Sequence, residues 1–142
     1  MPNDWAEQFA LESALARSLA QRGMLLTGTS VVTVAVLFQS FGALAGSTVA
    51  LLALTKLLLL IALLCLVAAA ILGAFTTAIR QVEFRGVYGG SESELAAARA
   101  AVLEAARRRN DSNMAALTRS GWAEVAGMVS VALAAFTYVL KL

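Results

Sequence analysis

Histidine is absent from this chain of 142 residues, and cysteine occurs once, as Cys65. Without histidine the protein lacks the commonest metal ligand and the usual general base. A single cysteine excludes an intramolecular disulfide and a Cys-x-x-Cys site, and we interpret Cys65 as a packed apolar side chain. Charged residues make up only 14% of the chain, whereas a soluble domain usually carries about 25%. We therefore expect no metal site, no cofactor and no soluble fold.

Enzyme motifs are also missing. The sequence contains no GxSxG, P-loop or HExxH pattern and no carboxylate pair in a plausible pocket. The glycines of GVYGGS at 86–91 do not join an apolar strand to a helix, so they are not a dinucleotide fingerprint. The net charge of +2 is small and favours neither a nucleic acid nor an acidic substrate as a partner. We expect a protein that is not an enzyme and does not bind nucleic acid.

Long apolar runs are what the chain does contain. Leu57–Ile79 is 23 residues without a charge, and about 20 apolar residues cross a bilayer as a helix. Residues 24–41 and 122–140 are two further candidate spans, and Trp122 and Tyr138 bracket the latter as interfacial aromatic residues do. The sequence therefore predicts an all-α integral membrane protein with three transmembrane helices.

Residues 1–22 predict an amphipathic amino-terminal helix on the cytoplasmic side. Asp4 and Glu7 have the spacing of a capping box. One apolar arc contains Trp5, Phe9, Leu11, Leu15 and Leu19, although Glu12 falls inside it. Such a helix suits the membrane surface or a contact with a partner.

The other segments follow in order. The sequence of residues 23–79 predicts a transmembrane helical hairpin with a turn near 42–47. Its second helix starts near Thr48 if it includes Lys56, or near Leu57 if Lys56 lies at its outer end. Residues 80–121 predict a helical cytoplasmic segment that begins at a Ser91/Glu94 capping box and breaks at 110–112. Residues 122–140 predict the third span.

Small residues recur in the predicted spans and favour close helix packing. The inner half of the first span, at 27–33, is small and hydroxylated, which suits either helix contacts or the lining of a pore. The two candidate packing stripes are Ala69, Gly73 and Thr77, and Ala126, Ser130 and Ala134.

The basic residues are distributed unequally. Nine arginines lie in the amino-terminal segment and the long loop, and only Lys56 and Lys141 lie on the other side. By the positive-inside rule the amino terminus and the long loop are cytoplasmic, and three spans then place the carboxyl terminus outside.

Two groups of charged residues are candidate sites. Glu124 is an ionisable residue inside a span, and we expect a structural ion pair with an arginine at the inner end, namely Arg22 or Arg80, with Arg119 also in reach. Arg107, Arg108 and Arg109 form the densest positive cluster, which attracts a phosphate or an anionic lipid headgroup, or is merely a solvated flank of the membrane.

Three stretches carry a family resemblance: ALARSLAQRGMLLTGTS at 14–30, R-R-N-x-x-N-M-A-A-L at 108–117, and WAEVAG at 122–127. Together with the order of the predicted helices, they resemble the Pycsar transmembrane effectors, small bacterial antiphage membrane proteins. The resemblance implies a multi-pass protein of the bacterial inner (plasma) membrane that forms a homo-oligomer. It also implies sensing of a cyclic pyrimidine nucleotide (cCMP or cUMP) and loss of membrane integrity, and it adds Asn110 and Asn113 to the arginine cluster as candidate ligand residues.

Two other classes have much the same layout. A holin or superinfection-exclusion protein of a prophage or plasmid would need no nucleotide, and a structural subunit of a larger membrane complex would need only its partners.

Overall fold

The structure, a computed structural model, describes residues 4–44, 50–77 and 91–140. Helix α1 covers Asp4–Leu44, α2 covers Ala50–Thr77 and α3 covers Glu92–Val139. All three are long and apolar enough to cross a membrane. The prediction of an all-α membrane protein with three transmembrane helices is therefore confirmed.

Helix α1 runs without interruption through both the predicted amino-terminal helix and the predicted first span. Its 41 residues correspond to about 62 Å, roughly twice the thickness of the hydrocarbon core. Gly23 does not end the helix, because a glycine costs only about 1 kcal/mol relative to alanine inside a helix. The amino-terminal part is therefore the first half of α1 and not a separate helix over residues 1–22, and it packs on α3.

Helix α3 is also continuous, over 48 residues. Its predicted start is confirmed, because the Ser91 backbone N–H donates to the Glu94 carboxylate at 2.8 Å and the Glu94 N–H donates to the Ser91 hydroxyl at 3.4 Å. The predicted break at 110–112 is wrong, since these residues are helical. The Asn110 side chain bonds α1 instead of competing with its own helical backbone.

Helix α2 begins at Ala50, close to the earlier of the two predicted starts. Lys56 therefore lies inside the helix, almost two turns from its beginning, and is half-buried. The 28 residues of α2 reach about 42 Å, so one span with its flanking interfacial turns accounts for the whole helix.

The buried residues of α2 repeat with alternating steps of four and three. They are Thr55, Leu59, Ala62, Leu66, Ala69, Gly73 and Thr76. This heptad spacing is typical of helices that pack at a shallow angle with side chains interdigitating. One apolar cluster follows from it, formed by Leu37, Leu59, Ala62, Leu66 and Ala134.

Helices α1 and α3 run parallel to each other, and α2 runs antiparallel to both. Hydrogen bonds link Trp5, Gln8, Glu12 and Thr29 of α1 to residues of α3 that are 94 to 99 positions later, so the two helices run in the same direction. At the carboxyl end of α2, Gly73 lies against Gly23. Within the described residues, only α1 and α3 continue past this point. We call residues 4–22 and 92–119 the extension, and the three-helix part the bundle.

Candidate functional site

Four polar side chains join the two helices of the extension, and we call them the clasp: Gln8, Glu12, Arg107 and Asn110. The Arg107 Nε atom lies 3.4 Å from Glu12 Oε1, and an Arg107 Nη atom donates to Gln8 Oε1 at 3.3 Å. The Asn110 amide donates to the Glu12 backbone carbonyl at 3.0 Å and to its carboxylate at 2.8 Å. One acidic residue of α1 thus holds two residues of α3.

The clasp explains why Glu12 interrupts the apolar arc of the amino-terminal helix. Asn110 is only 4% exposed, and both hydrogens of its amide have acceptors on Glu12. A buried amide without partners would destabilise the extension, so Glu12 satisfies a polar group that α3 brings to the contact. A residue that weakens the amphipathic pattern is therefore what links the two helices.

An aromatic group closes the far end of the extension. Trp5 and Phe9 stack with ring centroids 5.4 Å apart and an angle of 12° between the planes. The Trp5 indole N–H donates to the Arg99 carbonyl at 2.9 Å, and the Arg99 guanidinium lies 5.6 Å from the centre of the Trp5 ring. Trp5 therefore contacts α3 through both its indole N–H and its ring.

The predicted ligand set does not converge on one face of α3. Arg107 reaches across to α1, whereas Arg108 pairs with Glu104 of its own helix at 2.9 Å. Consecutive helical residues point about 100° apart, so Arg109 faces a third direction, and it is half-buried. Asn113 is half-buried as well, and no hydrogen bond joins its side chain to another described residue. Contacts with Glu12 bring Arg107 and Asn110 together, whereas Arg108 points away from them and pairs with Glu104.

The sequence did not predict the hydrogen-bond partner that the structure gives to Glu124. Its carboxylate accepts a hydrogen bond from the Thr29 hydroxyl at 2.6 Å. The ion pairs among the described residues involve other acids, so the predicted pairs with Arg22 and Arg119 are not formed. Arg22 precedes Thr29 by seven residues, which places it about 10 Å further along α1. Arg80, the other predicted partner, lies outside the described residues.

The bundle and the extension meet at a close contact of all three helices. A methyl group added at Gly73 would lie 2.6 Å from the Thr27 hydroxyl and 3.0 Å from the Gly23 carbonyl, so only glycine fits there. The Thr27 and Ser120 hydroxyls donate to the α2 carbonyls of Ala70 and Ala69 at 3.3 and 2.7 Å. Within this single chain the small hydroxylated residues make helix contacts, as small residues do in lipid.

Of the two predicted packing stripes, the first is confirmed in part and the second is displaced. Ala69 and Gly73 are buried, and the side chain of Thr77 lies outside the described part. In α3 the buried small residues are Ser120, Gly127 and Ala134, whereas Ala126 is exposed and Ser130 bonds its own helix. The heptad spacing of Ser120, Gly127 and Ala134 is the signal that would have located the correct face.

A cavity of about 350 Å³ lies at the opposite end of the bundle. It is lined by Val36, Leu37, Ser40, Thr55, Leu59, Val131, Ala134, Ala135 and Tyr138. None of the described residues that line it is charged. Among the described residues no group of three His, Cys, Asp or Glu side chains could hold a metal ion. The clasp and the aromatic group beside it are therefore the most concentrated polar chemistry of the described chain.

Comparisons of the chain with protein-family models, with curated proteins and with solved structures find no match.

Proposed function

We propose that this protein is an antiphage effector of the bacterial inner membrane that responds to a cyclic pyrimidine nucleotide. The nucleotide binds to the extension, and the protein then oligomerises or rearranges in the bilayer so that the membrane loses integrity. The resemblance to Pycsar transmembrane effectors and the junction of extension and bundle both support this proposal.

The observation that carries the proposal is the continuity of α1 and α3. Each helix enters the bundle directly from the extension, and each keeps the same partner helix along its length. A rotation or separation of the two helices in the extension cannot be absorbed by a flexible linker between the two parts. It must reach the bundle, where the contacts around Gly23 and Gly73 leave no free space. Coupled shifts of packed helices are an established way of transmitting a signal.

The proposed orientation places the extension in the cytoplasm, where a nucleotide signal would arise. The extension contains seven arginines: Arg17, Arg22, Arg99, Arg107, Arg108, Arg109 and Arg119. By the positive-inside rule such a segment stays in the cytoplasm. Reporter fusions at Gly90 should read cytoplasmic, and fusions after Leu142 should read external. A cytoplasmic reading after Leu142 would contradict this orientation.

Dye release from vesicles tests the proposed activity. Purified full-length protein is reconstituted into phosphatidylethanolamine and phosphatidylglycerol vesicles that contain a self-quenched dye. We expect cCMP or cUMP to release the dye from vesicles in which the extension faces outward, and we expect no release with cAMP or linear CMP. The mass of the protein in detergent, measured with and without the active nucleotide, then separates oligomerisation from rearrangement.

The outcomes distinguish the competing classes. Release that needs no nucleotide would contradict the effector and favour a holin-like or superinfection-exclusion protein. Absence of release under every condition would contradict both and favour a structural subunit of a larger complex.

A further inference from the structure

We propose that the ligand site of this effector is one face of the extension, formed by Trp5, Gln8, Arg99 and Arg107, which we call the receptor face. Its chemistry suits a ligand with a flat heteroaromatic ring at one end and a phosphate group at the other. This inference rests on the proposed function, and it replaces the arginine run at 107–109 as the binding site.

Arg107 is the phosphate-binding residue of the receptor face. Its side chain is 49% exposed, although it bridges two helices. Its contacts with Glu12 and Gln8, at 3.4 and 3.3 Å, are longer than the 2.7 to 2.9 Å of strong charge-assisted bonds. A phosphate presents oxygens that match the guanidinium fork, so it can displace these loose contacts. Arg108 lacks this role because it pairs with Glu104 of its own helix.

Trp5 is the ring-binding residue. Phe9 stacks on the indole and holds it in place, and the Arg99 guanidinium lies over the ring. The Arg99 guanidinium lies where a nucleotide base would stack on the Trp5 ring. Arg99 is exposed, so it can move aside and turn towards the anionic part of the ligand. A base covers more of the indole than the guanidinium does.

The spacing of these residues fits a mononucleotide. Gln8 lies one turn, about 5 Å, along α1 from Trp5, and it contacts Arg107 directly. Gln8 therefore lies between Trp5, which binds the ring, and Arg107, which binds the phosphate. Its amide lies between the two ends of the bound ligand. Glu12 stays bonded to Asn110 when Arg107 leaves it. Binding thus exchanges one contact between α1 and α3 for a contact with the ligand.

The ligand must be soluble rather than a lipid headgroup of the same membrane. Trp5 and Gln8 precede Gly23 by 18 and 15 residues on one continuous helix, which corresponds to about 27 and 22 Å. Gly23 is where the three helices meet, so the receptor face lies well beyond the bundle. An anionic headgroup carries a similar phosphate, and vesicles are therefore included in the test.

The test uses Trp5 as its own reporter. Trp5 and Trp122 are the two tryptophans of the chain, so the Trp122→Phe variant of the full-length protein leaves Trp5 as the only one. We expect cCMP or cUMP to quench its fluorescence in a saturable way, since the base stacks on the indole. Phosphatidylglycerol vesicles without nucleotide should leave the signal unchanged, and a shift with vesicles alone would overturn the soluble ligand.

Calorimetry on variants locates the phosphate. Arg107→Ala and Trp5→Leu should each weaken binding by about tenfold or more, because each removes one end of the site. Arg108→Ala removes the same charge from the same helix and should stay within about twofold. Circular dichroism and the Arg107→Lys variant, which keeps the charge but loses the fork, control for a folding defect.

The two levels of the proposal fail differently. Equal affinities of wild type, Arg107→Ala and Trp5→Leu would overturn the receptor face and leave the effector standing. Wild-type protein that binds neither nucleotide in the calorimeter would overturn the effector itself.

Discussion

The bundle and the extension are held together by opposite kinds of residue. In the bundle, glycines and hydroxyl groups bring the backbones together, as at Gly23, Gly73 and Ser120. In the extension, long side chains join the two helices, as Arg107 and Trp5 do. Lipid offers no hydrophobic drive for helix association, so close backbone approach must supply the stability there. The two helices of the extension contain many small alanine residues, and a few large polar and aromatic contacts join them.

This contrast distinguishes a rigid part of the molecule, the bundle, from a part whose contacts can change, the extension. A contact without space, like the one at Gly73, has one arrangement. A contact made by exposed arginines can exchange one acceptor for another. The part that we propose to receive the signal is therefore the part whose contacts are replaceable.

The largest expected effect breaks the bundle. In Gly23→Ala the new methyl group would meet the Gly73 carbonyl at 2.7 Å and also the Thr76 hydroxyl. Because the first of these is backbone, the helices must separate, and we expect a loss of about 3 kcal/mol of stability. Thermal unfolding in detergent measures it. Gly28→Ala is the matched control, since nothing lies within 4 Å of its added methyl group. It should be neutral or stabilising by up to about 1 kcal/mol, and equal losses in both variants would contradict the close contact.

A second change opens the extension and spares the bundle. Asn110→Ala removes both hydrogen bonds that the buried Asn110 amide donates to Glu12, so we expect the extension to lose about 1 to 3 kcal/mol of stability. Hydrogen exchange should accelerate in residues 4–22 and remain slow in 57–76. Asn113→Ala, at a half-buried position without a hydrogen bond among the described residues, should change neither region. Faster exchange throughout both regions would show that the two parts do not unfold separately.

The Glu124→Gln variant tests the contact between α1 and α3 at which the Glu124 carboxylate accepts a hydrogen bond from Thr29. The Gln oxygen can still accept the hydrogen bond of Thr29, so we expect a loss below about 1 kcal/mol. Thr29→Val should cost a similar amount, because it removes the donor. Stability of both variants in detergent measures this. A loss of several kcal/mol for Glu124→Gln alone would instead indicate an arginine partner, whose buried charge would be left uncompensated.

The smallest effect is expected at Arg108→Ala. Its ion pair with Glu104 joins two exposed side chains on one helix, and such pairs contribute about 0.3 to 0.5 kcal/mol. High salt should remove even this difference from the unfolding curves. A larger loss would mean that the extension depends on its surface charges as well as on the clasp.

The sequence predicted the elements better than their contacts. Length and apolarity suffice for the three spans, and the Ser91/Glu94 pair suffices for the start of α3, because both signals are local. The continuity of α1 across Gly23 and of α3 across Asn110 depends on tertiary contacts that outweigh weak local preferences. The partner of Glu124 depends on the register between helices, and a difference of two turns separates Thr29 from Arg22. Trp5, Gln8 and Arg99 could not be grouped beforehand, because a separation of more than 90 residues leaves no local pattern.

The parallel course of α1 and α3 also has an electrical consequence. Two parallel helices direct their amino termini towards the same end of the extension, and each helix end carries about half a positive elementary charge from its backbone dipoles. These like charges would repel at the far end of the extension. The first turns there contain Asp4 and Glu7 on α1 and Glu92 and Glu94 on α3. The far end is therefore balanced by carboxylates, and the positive charge of the extension lies nearer the bundle, along the arginine-bearing part of α3.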